Sequence, residues 1–331
     1  MRGLCEDRPK PMMPLANRPA LQLTISRLRD AGVTDVLIVV GHGSEQIKHS
    51  HGYGSSLGVK LYYVAQPALN GTGGALMLAQ DFVEGHPFFL VFGDVITHSD
   101  NFRRAMQIFT SGAPAVLSTC DLGKQVRVGA VLTENGRLVR IVERPGPRDR
   151  STLVSAGVFI FPPEIFAATR DLPPAPSGEY ELTGGIQNLC DSGVTIHTMP
   201  ITGYWANLTD PDALLEANEH VQRELADSGL RLIEGTARVS PQATLGEHTA
   251  VGDFARIEGG AVIGRNVSIG RESAIAAGAK LESCILIEKV SVGAGAVIEN
   301  AVIDAGAAIP PGAVLKSPPG HAAIIWKSTY A

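Results

Sequence analysis

The sequence predicts a two-part chain, an α/β domain of the doubly wound type followed by a parallel β-solenoid. Two observations carry that prediction. Up to about residue 230 continuous apolar runs alternate with amphipathic stretches, and from about residue 236 aliphatic residues recur every six positions. A length of 331 residues leaves room for both parts. The expected division is 1–230 for the α/β domain and 231–331 for the solenoid with its tail.

In the first part, VLIVVG (36–41), KLYYVA (60–65), FFLVFGD (88–94), AVLSTCD (115–121) and SAGVFIF (155–161) read as strands. Runs of this kind, apolar throughout and not alternating, suggest burial on both faces and hence a largely parallel sheet. Helices fit between them. ALQLTISRLRDAG (20–32) sets Leu21, Ile25 and Leu28 on one face and stops at Gly32, and GALMLAQDF (74–82) comes after a glycine-rich turn. DALLEANEHVQRELADSG (212–229) reads as one long helix closing the domain, with Thr209 or Asp210 as cap and Gly229 as stop.

In the second part the beat runs through Val239, Leu245, Val251, Ile257, Ile263, Ile269, Ile275 and Leu281. After a one-residue slip it continues at Leu286, Val292 and Ile298, and after another at Ile303, Ile309 and Leu315. Phe254 is the only Phe, Trp or Tyr between Gly235 and Ile325. Each short strand sends one aliphatic side chain into a stacked interior, and the tight corners admit small residues. This is the hexapeptide pattern of a left-handed β-helix with three hexads to a coil. Such a module suits assembly into homo-oligomers, and some acyltransferases are built on it.

Composition excludes several classes. Hydrophobic residues at 44% argue against disorder, and 28 basic against 33 acidic side chains argue against nucleic-acid binding. Cys5, Cys120, Cys190 and Cys284 are far apart, which fits neither a zinc knuckle nor a disulfide framework and points to a reducing cytoplasm. No signal peptide and no membrane-spanning apolar run is expected. Lys48-His49-Ser50-His51 reads as a solvated turn, not a metal pair, and His248 as a surface corner of the solenoid.

The candidate chemistry lies in the first part. RPKPMMPLANRP (8–19) sets Lys10 between two prolines, a cation on a stiff, extended segment. AQPALNGTGGAL (65–76), FLVFGDVITH (89–98), VGAV (128–131), VERP (142–145), SAGVFIF (155–161), GEYELTGGIQ (178–187) and GYWANLTDPDALLEAN (203–218) succeed it in order along the chain. Taken together, these segments resemble the motifs of sugar-1-phosphate nucleotidylyltransferases, which join a nucleoside triphosphate and a hexose 1-phosphate into a nucleotide sugar and diphosphate.

The resemblance implies roles residue by residue. Lys10 would neutralise triphosphate oxygens, and Gln66 with the Gly71 and Thr72 backbone would recognise the base. Asp94, at the carboxyl end of a buried strand, would be the first magnesium ligand, and Asn207 the second, standing where the family has an aspartate. Gly129, Glu143, Arg144 and Glu179 would hold the sugar phosphate, with Arg144 in place of the family's lysine. Ser155 and Gly184 are further departures, from asparagine and aspartate; Asp210 fits a helix cap better than a metal ligand. The cofactor implied is Mg2+, and the partners are a nucleoside triphosphate and a sugar 1-phosphate, with neither nucleic acid nor membrane.

The largest departure concerns the family's opening strand and its G-G-x-G-T-R loop, which wraps the triphosphate. Met1–Pro11 aligns with the family residues immediately C-terminal to that loop, and Arg2 with the family's second arginine. Either translation begins upstream, with a strand and turn ahead of Met1, or the loop is lost and the chain is a non-catalytic relative; the retained motifs favour the first, and without the loop the chain is expected to be poorly active or inactive. The absent strand would sit between VLIVVG and FFLVFGD, and without it an unpaired ladder and exposed core are expected. Three function classes remain: the nucleotidylyltransferase, acting with UTP or dTTP on a glucose-type phosphate or with GTP on a mannose-type one; a non-catalytic regulatory or structural subunit of such an enzyme; and a bifunctional protein whose β-helix transfers an acetyl group through His248.

Overall fold

The computed structural model describes residues 8–126 and 129–330, with only the backbone of Tyr330. Arg2, Cys5 and Val128 of the VGAV segment therefore lie outside the described residues. The chain divides into two compact units, Gln22–Trp205 on one side and, on the other, the stretch up to Leu21 joined with Ala206 onward.

Within Gln22–Trp205 a six-stranded sheet runs in the order Phe88–Val91, Leu153–Phe161, Ala115–Asp121, Ile196–Pro200, Arg137–Val142, Ala130–Glu134. Helices cover both faces, as a doubly wound domain requires. Leu117, Phe159 and Phe161 pack against Ile165, Phe166, Ile186 and Leu189 of helices Glu164–Arg170 and Leu182–Asp191. Val116, Ile160 and Met199 face Ala105 of helix Asp100–Thr110. This alternation is the period of two that strands impose.

The direction of the strands corrects the expectation of a largely parallel sheet. Only Ala115–Asp121 with Ile196–Pro200 is parallel in this sheet; the other pairings are antiparallel. A continuous apolar run reports burial on two faces and carries no information about direction. The direction was written elsewhere: Asn135 and Gly136, at φ 50° and 73°, make the two-residue turn that returns Ala130–Glu134 into Arg137–Val142.

Asp35–Val40 and Lys60–Ala65 form a separate parallel pair. Asp35–Val40 and Phe88–Val91 each have one strand neighbour among the described residues. Their apolar side chains from Val36 to Val39 and from Phe88 to Val91 are only half-buried, whereas Ala156–Phe161 is buried throughout. The polar stretch after Val40 also differs from expectation. It is a helix, Ser44–His51, and its last residue is buried at 5% exposure because Ile47 and His51 share the inward face. The His51 Nδ1 lies 3.1 Å from the Ile47 carbonyl oxygen, and burial lowers the imidazole's pKa.

The second unit is a stack of parallel strands with a three-sided cross-section. Val239 pairs with Ile257, Leu245 with Ile263 and Val251 with Ile269, and the ladders continue coil by coil. Every residue on the six-residue beat joins one apolar core. The slips have a geometric cause. Lys280–Leu286 and Val297–Ile303 run unbroken through a corner, with Ser283 at φ 46° and Asn300 at φ 53°, so one residue fewer closes those coils. His248 occupies a corner at φ 59° and is part-exposed.

Helix Pro211–Asp227 belongs to this unit. Asp210 caps it, its carboxylate accepting from the Ala213 N–H at 2.9 Å, and Pro211 opens the first turn. Gly229, at φ 75°, comes just past its end. No helix among the described residues is long and apolar enough to cross a membrane.

Candidate functional site

The turn after strand Lys60–Ala65 is built by its own side chains. Gln66 Nε2 donates to Asn70 Oδ1 at 2.8 Å and to the Gly71 carbonyl at 3.1 Å, so the glutamine predicted for base recognition also closes the turn. Helix Gly71–Met77 starts there, and Thr72 is exposed.

That turn is clasped to the segment carrying Glu179. The Tyr180 N–H donates to the Asn70 carbonyl and the Gly73 N–H to the Tyr180 carbonyl, both at 2.7 Å. Thr72 Oγ1 accepts from the Leu182 N–H at 3.1 Å, which satisfies a free donor at the start of helix Leu182–Asp191. Gly71 is required by this closeness: its φ is 92°, and a Cβ would stand 2.7 Å from the Tyr180 carbonyl oxygen.

Glu143 and Gly129 meet through the backbone, the Gly129 N–H donating to the Glu143 carbonyl at 2.9 Å. Burial raises the pKa of the Glu143 carboxyl, and the nearby Glu181 raises it further; the Thr183 hydroxyl and Arg144 pull it down, and Glu179 adds a smaller upward push. The Arg144 guanidinium is 3.7 Å from Glu181 Oε1. The site thus gathers Gln66, Gly71, Thr72 and Glu179 at one clasp, with Gly129, Glu143 and Arg144 joined to it through the Glu179–Thr183 segment. Glu181 and Thr183 are contributors that sequence reading missed. Both lie inside the GEYELTGGIQ segment, and nothing in a linear motif tells which of its polar residues turn toward Glu143.

Asp94 lies beyond strand Phe88–Val91 and before the buried strand Val95–Thr97, well ahead of helix Asp100–Thr110, so it does not cap that helix. Its turn is held from the neighbouring strand, the Phe92 N–H donating to the Gly157 carbonyl at 3.0 Å. Gly157 sits at φ 77° where the pairing of Leu153–Phe161 with Ala115–Asp121 shifts register. A Cβ there would lie 2.9 Å from Val95, so the bulge needs glycine. Ser155, in the same irregular stretch, has a buried hydroxyl with no hydrogen-bond partner.

Lys10 and Asn207 belong to the other unit. Lys10 begins a short 3-10 turn, Lys10–Met12, and not the extended segment expected; its carbonyl accepts from the Met13 N–H at 3.0 Å. Proline at both flanks fixes φ without forcing extension, since a φ near −65° also suits a turn. Asn207 ends strand Trp205–Asn207, and its Oδ1 is buried without a hydrogen-bond partner. An orphaned carbonyl oxygen of this kind is a hard donor suited to Mg2+, which makes the Asn207 amide a chemical fit for that ion.

Residues 1–224 match the nucleotidyl transferase family, and residues 247–319 match the GMPPB C-terminal domain. The chain is 31% identical to the low-salt glycan biosynthesis nucleotidyltransferase Agl11 of Haloferax volcanii, over 74% of this chain and 67% of that protein. Against a glucose-1-phosphate thymidylyltransferase of Streptomyces antibioticus the identity is 29%, over 78% of this chain and 71% of the relative. A Bacillus anthracis chain solved as a candidate glucose-1-phosphate thymidylyltransferase shares the fold at a TM-score of 0.58 and 23% identity, covering 66% of this chain and 88% of its own.

Proposed function

Because the chain belongs to the nucleotidyl transferase family, we propose that it transfers a nucleotidyl group from UTP or dTTP to a glucose-type hexose 1-phosphate, releasing diphosphate. The observation that carries this reading is the clasp of the Asn70–Gly73 turn to the Glu179–Leu182 segment, which sets a base-sized turn beside a carboxylate cluster suited to sugar hydroxyls. Relatives named as glucose-1-phosphate thymidylyltransferases favour that base and sugar.

The reaction needs no side-chain nucleophile. The phosphate of the sugar attacks the α-phosphorus, and diphosphate leaves in line. What the protein contributes is position and charge. Gln66 and the Gly71–Thr72 backbone hold the base; Gly129, Glu143, Arg144 and Glu179 orient the sugar phosphate; Lys10 neutralises the triphosphate. Mg2+, held by Asp94 and Asn207, would supply charge neutralisation at the phosphates. Asparagine and arginine at positions 207 and 144 keep the donor types while altering charge and geometry.

Compartment and assembly complete the reading. Cys120, Cys190 and Cys284 are free thiols, which suits a reducing cytoplasm. Phe254, Val262 and Val314 expose apolar surface along the solenoid, which suits a homo-oligomer built through it. A diphosphate-release screen of the protein extended upstream by the family's opening strand and loop, across four nucleoside triphosphates and several hexose 1-phosphates, tests the proposal. Turnover with UTP or dTTP and a glucose-type phosphate is expected, falling by about 100-fold in Lys10→Ala. No release across the whole panel would overturn it and leave the non-catalytic subunit.

A further inference from the structure

Three polar side chains, Asn218, Gln222 and Ser268, are fully buried where helix Pro211–Asp227 lies on the solenoid. Their hydrogen bonds form a directed chain. Gln222 Nε2 donates to Ser268 Oγ at 3.1 Å, Ser268 Oγ donates to Asn218 Oδ1 at 2.8 Å, and the same Oδ1 accepts from the Ala16 N–H at 2.8 Å. Gln222 also holds the Val267 carbonyl at 2.9 Å. The relay therefore ends on the hairpin formed by Pro14–Leu15 and Arg18–Pro19, immediately after the Lys10 turn.

The hairpin could not hold its shape unaided. Ala16 and Asn17 form its turn at φ 49° and 62°, and an alanine in the left-handed region persists only where its surroundings fix it. Here Asn218 grips Ala16, and Asn17 Nδ2 donates to the Ile269 carbonyl at 3.0 Å. Met13 and Leu15 are fully buried, and the Ala20 N–H closes onto the Met13 carbonyl at 3.0 Å. On the other side of Lys10, Arg8 pairs with Glu288 of the solenoid at 2.5 Å. Lys10 thus lies between two tethers, and both end on the solenoid.

We infer that the solenoid is a positioning element of the reaction: Ser268, acting through Asn218, fixes the backbone that presents Lys10. The inference rests on the role proposed above for Lys10. The seam is a poor device for stability alone, because Asn218 Nδ2 and Gln222 Oε1 are buried without partners. Directed hydrogen bonds instead select one register of hairpin on helix, where interchangeable apolar contacts would permit several.

The experiment compares Ser268→Ala, Ser268→Thr and an exposed solenoid control, Ala274→Ser, in the full chain extended upstream by the family's opening strand and loop. Amide exchange at Ala16 and Ala20 should quicken about tenfold in Ser268→Ala, with the solenoid ladders unchanged. In turnover, Ser268→Ala should lower kcat and raise the KM for the triphosphate, together about tenfold in kcat/KM, leaving the KM for the hexose 1-phosphate unmoved. Ser268→Thr, which keeps the hydroxyl, should restore both. Glu288→Gln cuts the second tether outside the core and should act in the same direction, which covers a Ser268→Ala chain that does not fold. Unchanged exchange at Ala16 and Ala20 in both variants, or equal losses for both substrates and in the control, would overturn the inference. A wild-type chain without any turnover would instead refute the reaction, and the exchange result alone would then decide whether the relay holds the hairpin.

Discussion

The two units store their structure in different ways. In the solenoid one instruction is repeated, an aliphatic residue every sixth position, and each coil needs only the coil beside it. In the α/β unit the site depends on turns distant in sequence, such as Asn70–Thr72 with Tyr180–Leu182. Repetition makes architecture legible and leaves chemistry blank. Convergence of unrelated turns does the reverse.

The largest expected effect breaks the solenoid at one beat. Ile269 is fully buried and Val262, on a neighbouring coil strand, is 41% exposed. Ile269→Asp should cost about 4 kcal/mol or more, because an unpaired carboxylate enters an apolar stack, and the solenoid's urea transition should collapse toward zero. Val262→Asp should stay within about 0.5 kcal/mol. Equal costs at the two positions would mean that the beat does not define the core.

A smaller effect is expected at the clasp. Gly71→Ala combines a φ of 92° with a Cβ 2.7 Å from the Tyr180 carbonyl, so it should cost about 1–3 kcal/mol and raise the KM for the triphosphate. Gly85→Ala separates the two causes. Gly85 has a φ of 78° and nothing within 4 Å of the added carbon, so it should cost about 1 kcal/mol with no change in KM. Should the two alanines behave alike, the approach of Tyr180 would not be what demands glycine at 71.

These differences explain what the sequence reveals. The beat positions from Val239 to Leu315 were readable because one side chain per hexad faces one interior. The helix cap at Asp210 and the stop at Gly229 were readable because capping is local. Strand direction was not, since burial on two faces looks the same in either direction, although Asn135-Gly136 announced one antiparallel return. Among the candidate site residues, motif order proposes Glu143 and Glu179, while the approach of Glu181 and Thr183 to Glu143 and the anchoring of the Lys10 hairpin by Asn218 depend on tertiary contacts that no local pattern contains.

The smallest effect, and the most diagnostic of the carboxylate cluster, is the pH dependence of Glu143. Burial and Glu181 raise its pKa, so the folded chain binds this proton more tightly than the unfolded chain does. Glu143 therefore costs stability at pH values above its raised pKa, and the cost fades as pH falls through that value toward the ordinary glutamate range. Glu143→Gln removes the charge and keeps the shape. It should melt about 1–2 °C higher than wild type near pH 8 and level with it near pH 4, while weakening the hold on the hexose 1-phosphate. Glu181→Gln relieves the same repulsion from the other side and should show a smaller gain over the same window. A stability difference for Glu143→Gln that does not vary with pH would show that Glu143 is not held among like charges, and the cluster would lose its electrostatic account.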